Sequence, residues 1–250
     1  MALASKTIII TGGGKNLGAL TAEILAPLGS PDLVLHYHSA GDAAKVEALA
    51  TELADKYGSK VVGFQAALEK PDEVEALFKF TKDTFGKVDI AINNVGMVLK
   101  KPFLEITEAE YDVMFDTNSK SAFFFIQKAG KYLEDNGKIV TIVTSLLAAF
   151  TGLYSVYAGA KAPVEHFCRA AAKEFGPRGI SVNNIAPGPM DTPFFYGQES
   201  PDSVAYNKGA SMNGKLTDIK DIAPIVKFLV TEGWWINGQT IFANGAYTTR

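Results

Sequence analysis

Short β-branched runs alternate with amphipathic stretches along the whole chain, and this alternation restricts the fold more than any other feature. Thr7 to Thr11, Leu33 to Tyr37, Lys60 to Phe64, Val88 to Asn93, Lys138 to Val143, Gly179 to Ile185 and Thr240 to Ala243 read as strands. Between them, Val46, Leu49, Leu53 and Tyr57 recur at helical steps, as do Val74, Leu77, Phe78, Thr81 and Phe85 behind Pro71-Asp72. Further helices are expected over Asn16–Leu28, Thr107–Asp135 and Tyr154–Phe175, and around Ile222, Ile225, Val226 and Leu229. The strands are apolar on both sides, as a sheet covered on both faces requires. The pattern predicts an α/β chain: a Rossmann-type, doubly wound, mostly parallel seven-stranded sheet with helices on both faces. No linker or repeat divides residues 1–250, so one domain is expected. The exception to the alternation is 187–216, rich in proline and holding Phe194, Phe195, Tyr196 and Tyr206. It reads as a long loop, a flap over a site.

Composition removes several functions. Twenty-four basic against 27 acidic residues give a net charge of −3, the wrong balance for a protein that grips nucleic acid through a basic surface. A single cysteine, Cys168, excludes an internal disulfide framework, and three histidines leave little for a metal site, so no metal is expected. The uncharged run from Ile139 to Ala160 holds Thr141, Thr144, Ser145, Thr151, Gly152 and Ser155. A strand, a polar turn and a helix start explain it better than a membrane span. With no targeting signal before the first strand, a cytoplasmic location is expected.

The first strand runs directly into Gly12-Gly13-Gly14-Lys15-Asn16-Leu17-Gly18, and a helix follows. Glycines allow a tight turn and a close approach of backbone to phosphate, and the free N–H groups of the helix start bind the anion. A dinucleotide unit selective for NAD carries an acid at the end of its second strand, to hold the ribose diol. Here that place reads His36-Tyr37-His38-Ser39, with no acid. A 2′-phosphate is therefore permitted, with Lys15 for charge and His38 and Ser39 for hydrogen bonds. NADPH/NADP+ is the expected cofactor.

Tyr157 and Lys161 stand four apart, on one helical face. An ammonium there can lower the phenol's pKa and let it exchange a proton near neutrality. Ser145 lies just past the fifth strand, at the sheet edge where ligands bind, and its hydroxyl can hold a substrate oxygen. It is in no G-x-S-x-G elbow, so a serine hydrolase has no support.

In these motifs the chain resembles the short-chain dehydrogenases/reductases of single-domain, NADP(H)-preferring type. Gly12, Gly14, Lys15, Asn16, Leu17 and Gly18 resemble the family's cofactor turn, and Asn94-Val95-Gly96 its motif after the fourth strand. Asn118 matches the helix asparagine, Ser145, Tyr157 and Lys161 the catalytic set, and Pro187-Gly188 with Thr192 the nicotinamide-side segment. The resemblance implies hydride transfer between a nicotinamide and a carbonyl carbon. Tyr157 would be acid and base, Lys161 would hold the ribose and tune Tyr157, and Asn118 would keep a water on a proton path to Lys161. It also implies a homo-oligomer, dimer or tetramer. Four departures stand out. Asn16 replaces a turn glycine, Ala67-Leu68 stands where the family often has an aspartate, and Pro163 lies inside the tyrosine's helix, where a kink is expected. Ser145 is twelve positions before Tyr157, one fewer than the commonest spacing, which Thr144 fits. Ser145 is the expected hydroxyl, with Thr144 the alternative.

Leu146, Leu147, Leu153, Tyr154, Phe194 and Phe195 are expected to line an apolar substrate pocket, and Trp234-Trp235 to be core or subunit contact. His166 and Cys168 are expected to pack. The leading expectation is an NADPH-dependent reductase of ketones and aldehydes. The alternatives are an NAD-dependent alcohol or sugar dehydrogenase, and a nucleotide-binding sensor without turnover.

Overall fold

The computed structural model describes residues 2–249. Seven parallel strands form one sheet: β1 (Thr7–Ile10), β2 (Asp32–Tyr37), β3 (Val61–Gln65), β4 (Ile90–Asn93), β5 (Lys138–Ile142), β6 (Ser181–Pro187) and β7 (Thr240–Ala243). Their spatial order is β3-β2-β1-β4-β5-β6-β7. The order reverses between β1 and β4, and the carboxyl ends of those strands open the crevice in which such sheets bind ligands.

The run of three isoleucines shows why both faces are covered. Ile8 and Ile10 point to one side, with Leu33 and Leu35, against α1 (Asn16–Leu25), α2 (Ala43–Tyr57) and α10 (Ile219–Thr231). Ile9 and Val34 point to the other, against α3 (Pro71–Phe85), α5 (Ser121–Tyr132) and α7 (Pro163–Phe175). Period-two strands of all-apolar residues can be satisfied only between two helical layers. In the second layer Phe78 is fully buried, its ring centroid 5.1 Å from Phe125 and 6.0 Å from Tyr132.

Three expectations are refined. The helical region 107–135 is broken into α4 (Glu108–Phe115), a π-turn over Asp116–Lys120, and α5. The side-chain amide of Asn118 donates to the Met114 carbonyl at 2.9 Å, which occupies that acceptor and widens the turn. At Pro163, α6 (Ser155–Lys161) gives way to α7, while Ala162 keeps helical angles (φ −60, ψ −42). The proline interrupts the hydrogen bonding without turning the chain out of helical geometry.

The flap, expected as an irregular loop, contains α8 (Pro193–Tyr196) and α9 (Pro201–Ala210). Ser200 caps α9, accepting from the Ser203 N–H, and Pro201 opens it. Its one buried residue is Asn207, so it carries no apolar stripe for a sequence pattern to register. Trp234 and Trp235 are 61% and 83% exposed and are not core, and His166 is exposed as well. Cys168 is buried and packs as expected.

Phe78→Ala should cost about 3–5 kcal/mol of unfolding free energy. Urea denaturation followed by circular dichroism checks this.

Candidate active site

The turn after β1 is fixed from two strands at once. The Thr11 hydroxyl donates to Asn93 Oδ1 at 2.9 Å and accepts from the Asn94 N–H at 2.9 Å. Gly12 has φ +59, and a Cβ there would lie 3.1 Å from the Asn94 amide nitrogen. A Cβ on Gly18 would come within 2.1 Å of the Gly12 carbonyl oxygen, so the helix can begin this close only without a side chain. Asn16 adopts φ +48, the left-handed geometry that asparagine tolerates better than most residues. α1 starts with no side-chain cap and no acid in its first turn. Its end is therefore an uncancelled positive dipole with open amides, facing a cleft of about 610 Å³.

That cleft is lined by Gly12, Gly14, Lys15, Asn16, Leu17, Tyr37, His38, Asn94, Val95, Gly96, Tyr157, Lys161 and Thr192. Of the expected cofactor residues, Gly18 lies beneath the turn, Ser39 falls outside the lining, and Pro187 and Gly188 line the neighbouring cavity instead. The Thr192 hydroxyl is buried with no partner among the described residues, and Thr192 lines both cavities. An uncapped helix start, glycines where a Cβ would collide, and an orphaned hydroxyl at the far end together fit a dinucleotide.

Sequence reasoning missed two residues here. His36, read only as part of a stretch without an acid, is 1% exposed. Its Nδ1 accepts from the Gly12 N–H at 3.2 Å, so Nε2 carries the proton and donates to the Ala66 carbonyl at 3.0 Å. Burial lowers its pKa to about 4 and keeps it neutral. Asp42 also lines the cleft, so the ribose end is not free of acids. Its carboxylate pairs with Lys15 at 2.9 Å and lies 3.8 Å from Lys45. Two ammonium groups against one carboxylate leave this corner positive. On the adenine side, Leu68 stands in place of the absent aspartate, and the Glu73 carboxylate accepts from the Ala67 N–H.

Tyr157 and Lys161 are 7% and 4% exposed. Lys161 Nζ donates to the carbonyls of Ile142 at 3.1 Å and Val95 at 3.3 Å. A Cβ on Gly96 would lie 2.9 Å from that nitrogen and 3.2 Å from Asn118 Oδ1, so Gly96 gives both side chains room. Asn118 accepts from the Met97 N–H at 3.0 Å and donates to the Met97 carbonyl at 2.9 Å, pinning the β4 loop.

Burial pushes Tyr157 up to about 12, and hydrogen bonding from Thr144 only partly offsets it. The expected lowering of Tyr157 by Lys161 is absent: the ammonium is turned to the two carbonyls. Ser145, the expected hydroxyl, lines the same cavity as Tyr157, but its proton is committed to backbone. Ser145 donates to the Ala186 carbonyl at 2.8 Å, bracing β5 against β6, while Thr144 is the hydroxyl beside the phenol. Thr144 is the last extended residue after β5 and Ser145 the first of a 3-10 turn, so the two hydroxyls take different directions.

The substrate-side cavity, about 90 Å³, is lined by Thr144, Ser145, Leu146, Tyr154, Tyr157, Phe194, Phe195, Glu199 and others. Leu147 and Leu153 are not part of it. Leu147 packs against the buried cluster of Ala122, Val143, Val164 and Ala186, and Leu153 is 45% exposed with φ +69. Gln198, Glu199, Asn207 and Tyr247 do line it, none of them foreseen. Among the described residues no cluster of histidine, cysteine or carboxylate side chains could hold a metal, and no helix is long and apolar enough to cross a membrane.

Burial lowers Lys161 from 10.5 to about 8. The unfolded chain then holds a proton that the folded chain releases, so stability rises as pH climbs from about 8 to 10.5. Lys161→Met should abolish this rise and stabilise the protein without bound dinucleotide at pH 7, by up to about 3 kcal/mol. Melting curves of both proteins across this pH range check it.

The family described as enoyl-(acyl carrier protein) reductase matches residues 14–248. Hydroxynaphthalene reductase-like protein Arp2 of Metarhizium brunneum is 35% identical, over 99% of this chain and 96% of its own length. Tetrahydroxynaphthalene reductase PfmaG of Pestalotiopsis fici is 35% identical, over 97% of this chain and 91% of its own. Among solved structures, a putative dehydrogenase from Burkholderia cenocepacia with bound NADP superposes with a TM-score of 0.97. It is 56% identical, with 100% of this chain and 96% of that one covered. A short-chain dehydrogenase from Oenococcus oeni is 57% identical, with a TM-score of 0.79 and 99% and 98% covered. The glycine turn, the Tyr157–Lys161 pair, the sheet order and these full-length likenesses agree: the chain belongs to the short-chain dehydrogenase/reductase family.

Proposed function

We propose that this oxidoreductase reduces ketones or aldehydes to alcohols, with NADPH as the electron donor. The observation that carries the reading is the buried Tyr157 phenol beside Thr144, where the dinucleotide cleft meets a small, largely apolar cavity. When bound, the nicotinamide supplies the hydride; the chain supplies alignment and the proton. Thr144 orients the carbonyl oxygen towards the phenol. Tyr157, with its pKa near 12, keeps its proton until that oxygen gains charge, then donates it, because an alkoxide is a stronger base than a phenolate. Lys161, buried below, would hold the ribose hydroxyls and restore the proton, and Asn118 keeps the Met97 loop in place.

The open amides after β1 and the Lys15–Asp42–Lys45 corner support a 2′-phosphorylated dinucleotide. The NADP in the 56% identical structure and the reductase names of the fungal relatives support the same reading. Asp42 favours a second reading, an NAD-dependent alcohol dehydrogenase, in which its carboxylate would hold a ribose diol. A cytoplasmic dimer or tetramer completes the proposal. Phe123, 41% exposed and 5.1 Å from the Phe167 ring, offers an apolar surface on α5 and α7 for self-association.

Tyr157→Phe should lower NADPH-dependent turnover of a carbonyl substrate by about 10²–10⁴-fold while cofactor binding persists. Thr144→Ala should cost more in kcat than Ser145→Ala. Steady-state rates of NADPH oxidation over a panel of ketones and aldehydes check both. Unchanged turnover in Tyr157→Phe would defeat the reading.

A further inference from the structure

The flap is held to the body of the protein by a polar cluster that the reaction does not use. The Glu199 carboxylate, wholly buried, receives hydrogen bonds from the Tyr154 phenol, the Lys100 ammonium and the Ser203 hydroxyl. Lys100 also donates to Ser203 Oγ at 2.7 Å, and its backbone N–H donates to Gln198 Oε1 at 3.0 Å. Asn207 donates to the Ser203 carbonyl at 2.8 Å, so this amide too is committed within the flap.

The consequence lies with Tyr154. It lines the substrate-side cavity, with its ring centroid 6.4 Å from that of Tyr157. A phenol has one hydrogen, and this one is given to a buried carboxylate; only lone pairs remain for a ligand. Burial would raise Glu199, but the donors from Lys100, Ser203 and Tyr154 outweigh it and hold its pKa below the ordinary value. Burial, then the bond to Glu199, raises Tyr154 above the usual phenol range, so its proton stays in place. The nearby wall of Val98, Leu146, Phe194 and Phe195 is apolar.

We propose that Tyr154, polarised by Glu199, is a specificity-determining residue: its oxygen accepts a hydrogen bond from a hydroxyl carried about one ring away from the carbonyl being reduced. This rests on the carbonyl-reductase reading. A ligand with a hydroxyl at that place satisfies the acceptor. An ether or carboxylate there sets lone pairs against lone pairs and leaves a polar group unpaired on a desolvated wall.

The test uses 2-, 3- and 4-hydroxyacetophenone against the matching methoxyacetophenones. Each pair is measured twice with the full-length protein: as kcat/KM with NADPH, and as a dissociation constant on the NADP+ complex by calorimetry. For at least one regioisomer, the hydroxyl form should be preferred about tenfold, and the preference should fall to within about twofold in Tyr154→Phe. Glu199→Gln, which can turn an amide N–H towards the phenol and release its proton, should weaken the preference with Tyr154 still present. The proposal is overturned if no pair discriminates in the unmodified protein. It is equally overturned if the discrimination survives Tyr154→Phe, or vanishes in Tyr247→Phe instead. Discrimination in binding without turnover of any ketone would sink the reductase reading and leave Tyr154 as the acceptor of a ligand hydroxyl.

Discussion

The site depends on one junction, where the carboxyl ends of β1 and β4 are tied together under the glycine turn. Thr11 bonds to both Asn93 and Asn94, and His36 on β2 takes the Gly12 N–H. These bonds satisfy the inward polar groups of a turn that must leave its outward amides free. Two physical demands meet there: buried backbone must be paired, and the helix start must stay uncapped if an anion is to be held. Side chains from neighbouring strands meet the first demand so that the turn itself can meet the second. Gly18, with no room for a Cβ beside the Gly12 carbonyl, lets the turn and α1 come this close.

The Tyr157–Lys161 end of the site works against stability. Tyr157 and Lys161 are buried, and burial, offset in part at Tyr157 by Thr144, moves their pKa values apart, to about 12 and about 8. A group that charges or transfers a proton is least comfortable where water is excluded, yet that exclusion keeps its proton available for one partner. The chain supports the arrangement with backbone: two carbonyls receive Lys161, Gly96 makes space, and the π-turn at Asn118 fixes the loop between.

The strands and the two helical layers were legible because a covered parallel sheet forces runs such as Ile8-Ile9-Ile10, and its helices must carry apolar stripes. The glycine turn and the Tyr157–Lys161 pair were legible because their spacing itself carries the chemistry. What escaped was set by position in space. α9 has no apolar stripe. His36 differs from His38 only in burial, which sequence does not print. Asp42 reaches the ribose corner from the loop before α2, five residues beyond the place where an acid was sought. Thr144 and Ser145 both follow β5, and the start of the 3-10 turn between them sets the direction of each hydroxyl. Leu147 and Leu153 are close to Tyr157 in sequence, yet one packs inward and the other faces solvent.

The turn after β1, with Lys15 beside it, is proposed to receive a 2′-phosphorylated dinucleotide. The most direct measurement is a titration of the purified protein with NADPH and with NADH, following nicotinamide fluorescence. NADPH should bind more tightly by at least about tenfold, ~1.4 kcal/mol, a preference that narrows in Lys15→Ala. Equal or tighter binding of NADH would contradict it, and would give Asp42 the ribose diol in place of Lys15 the phosphate.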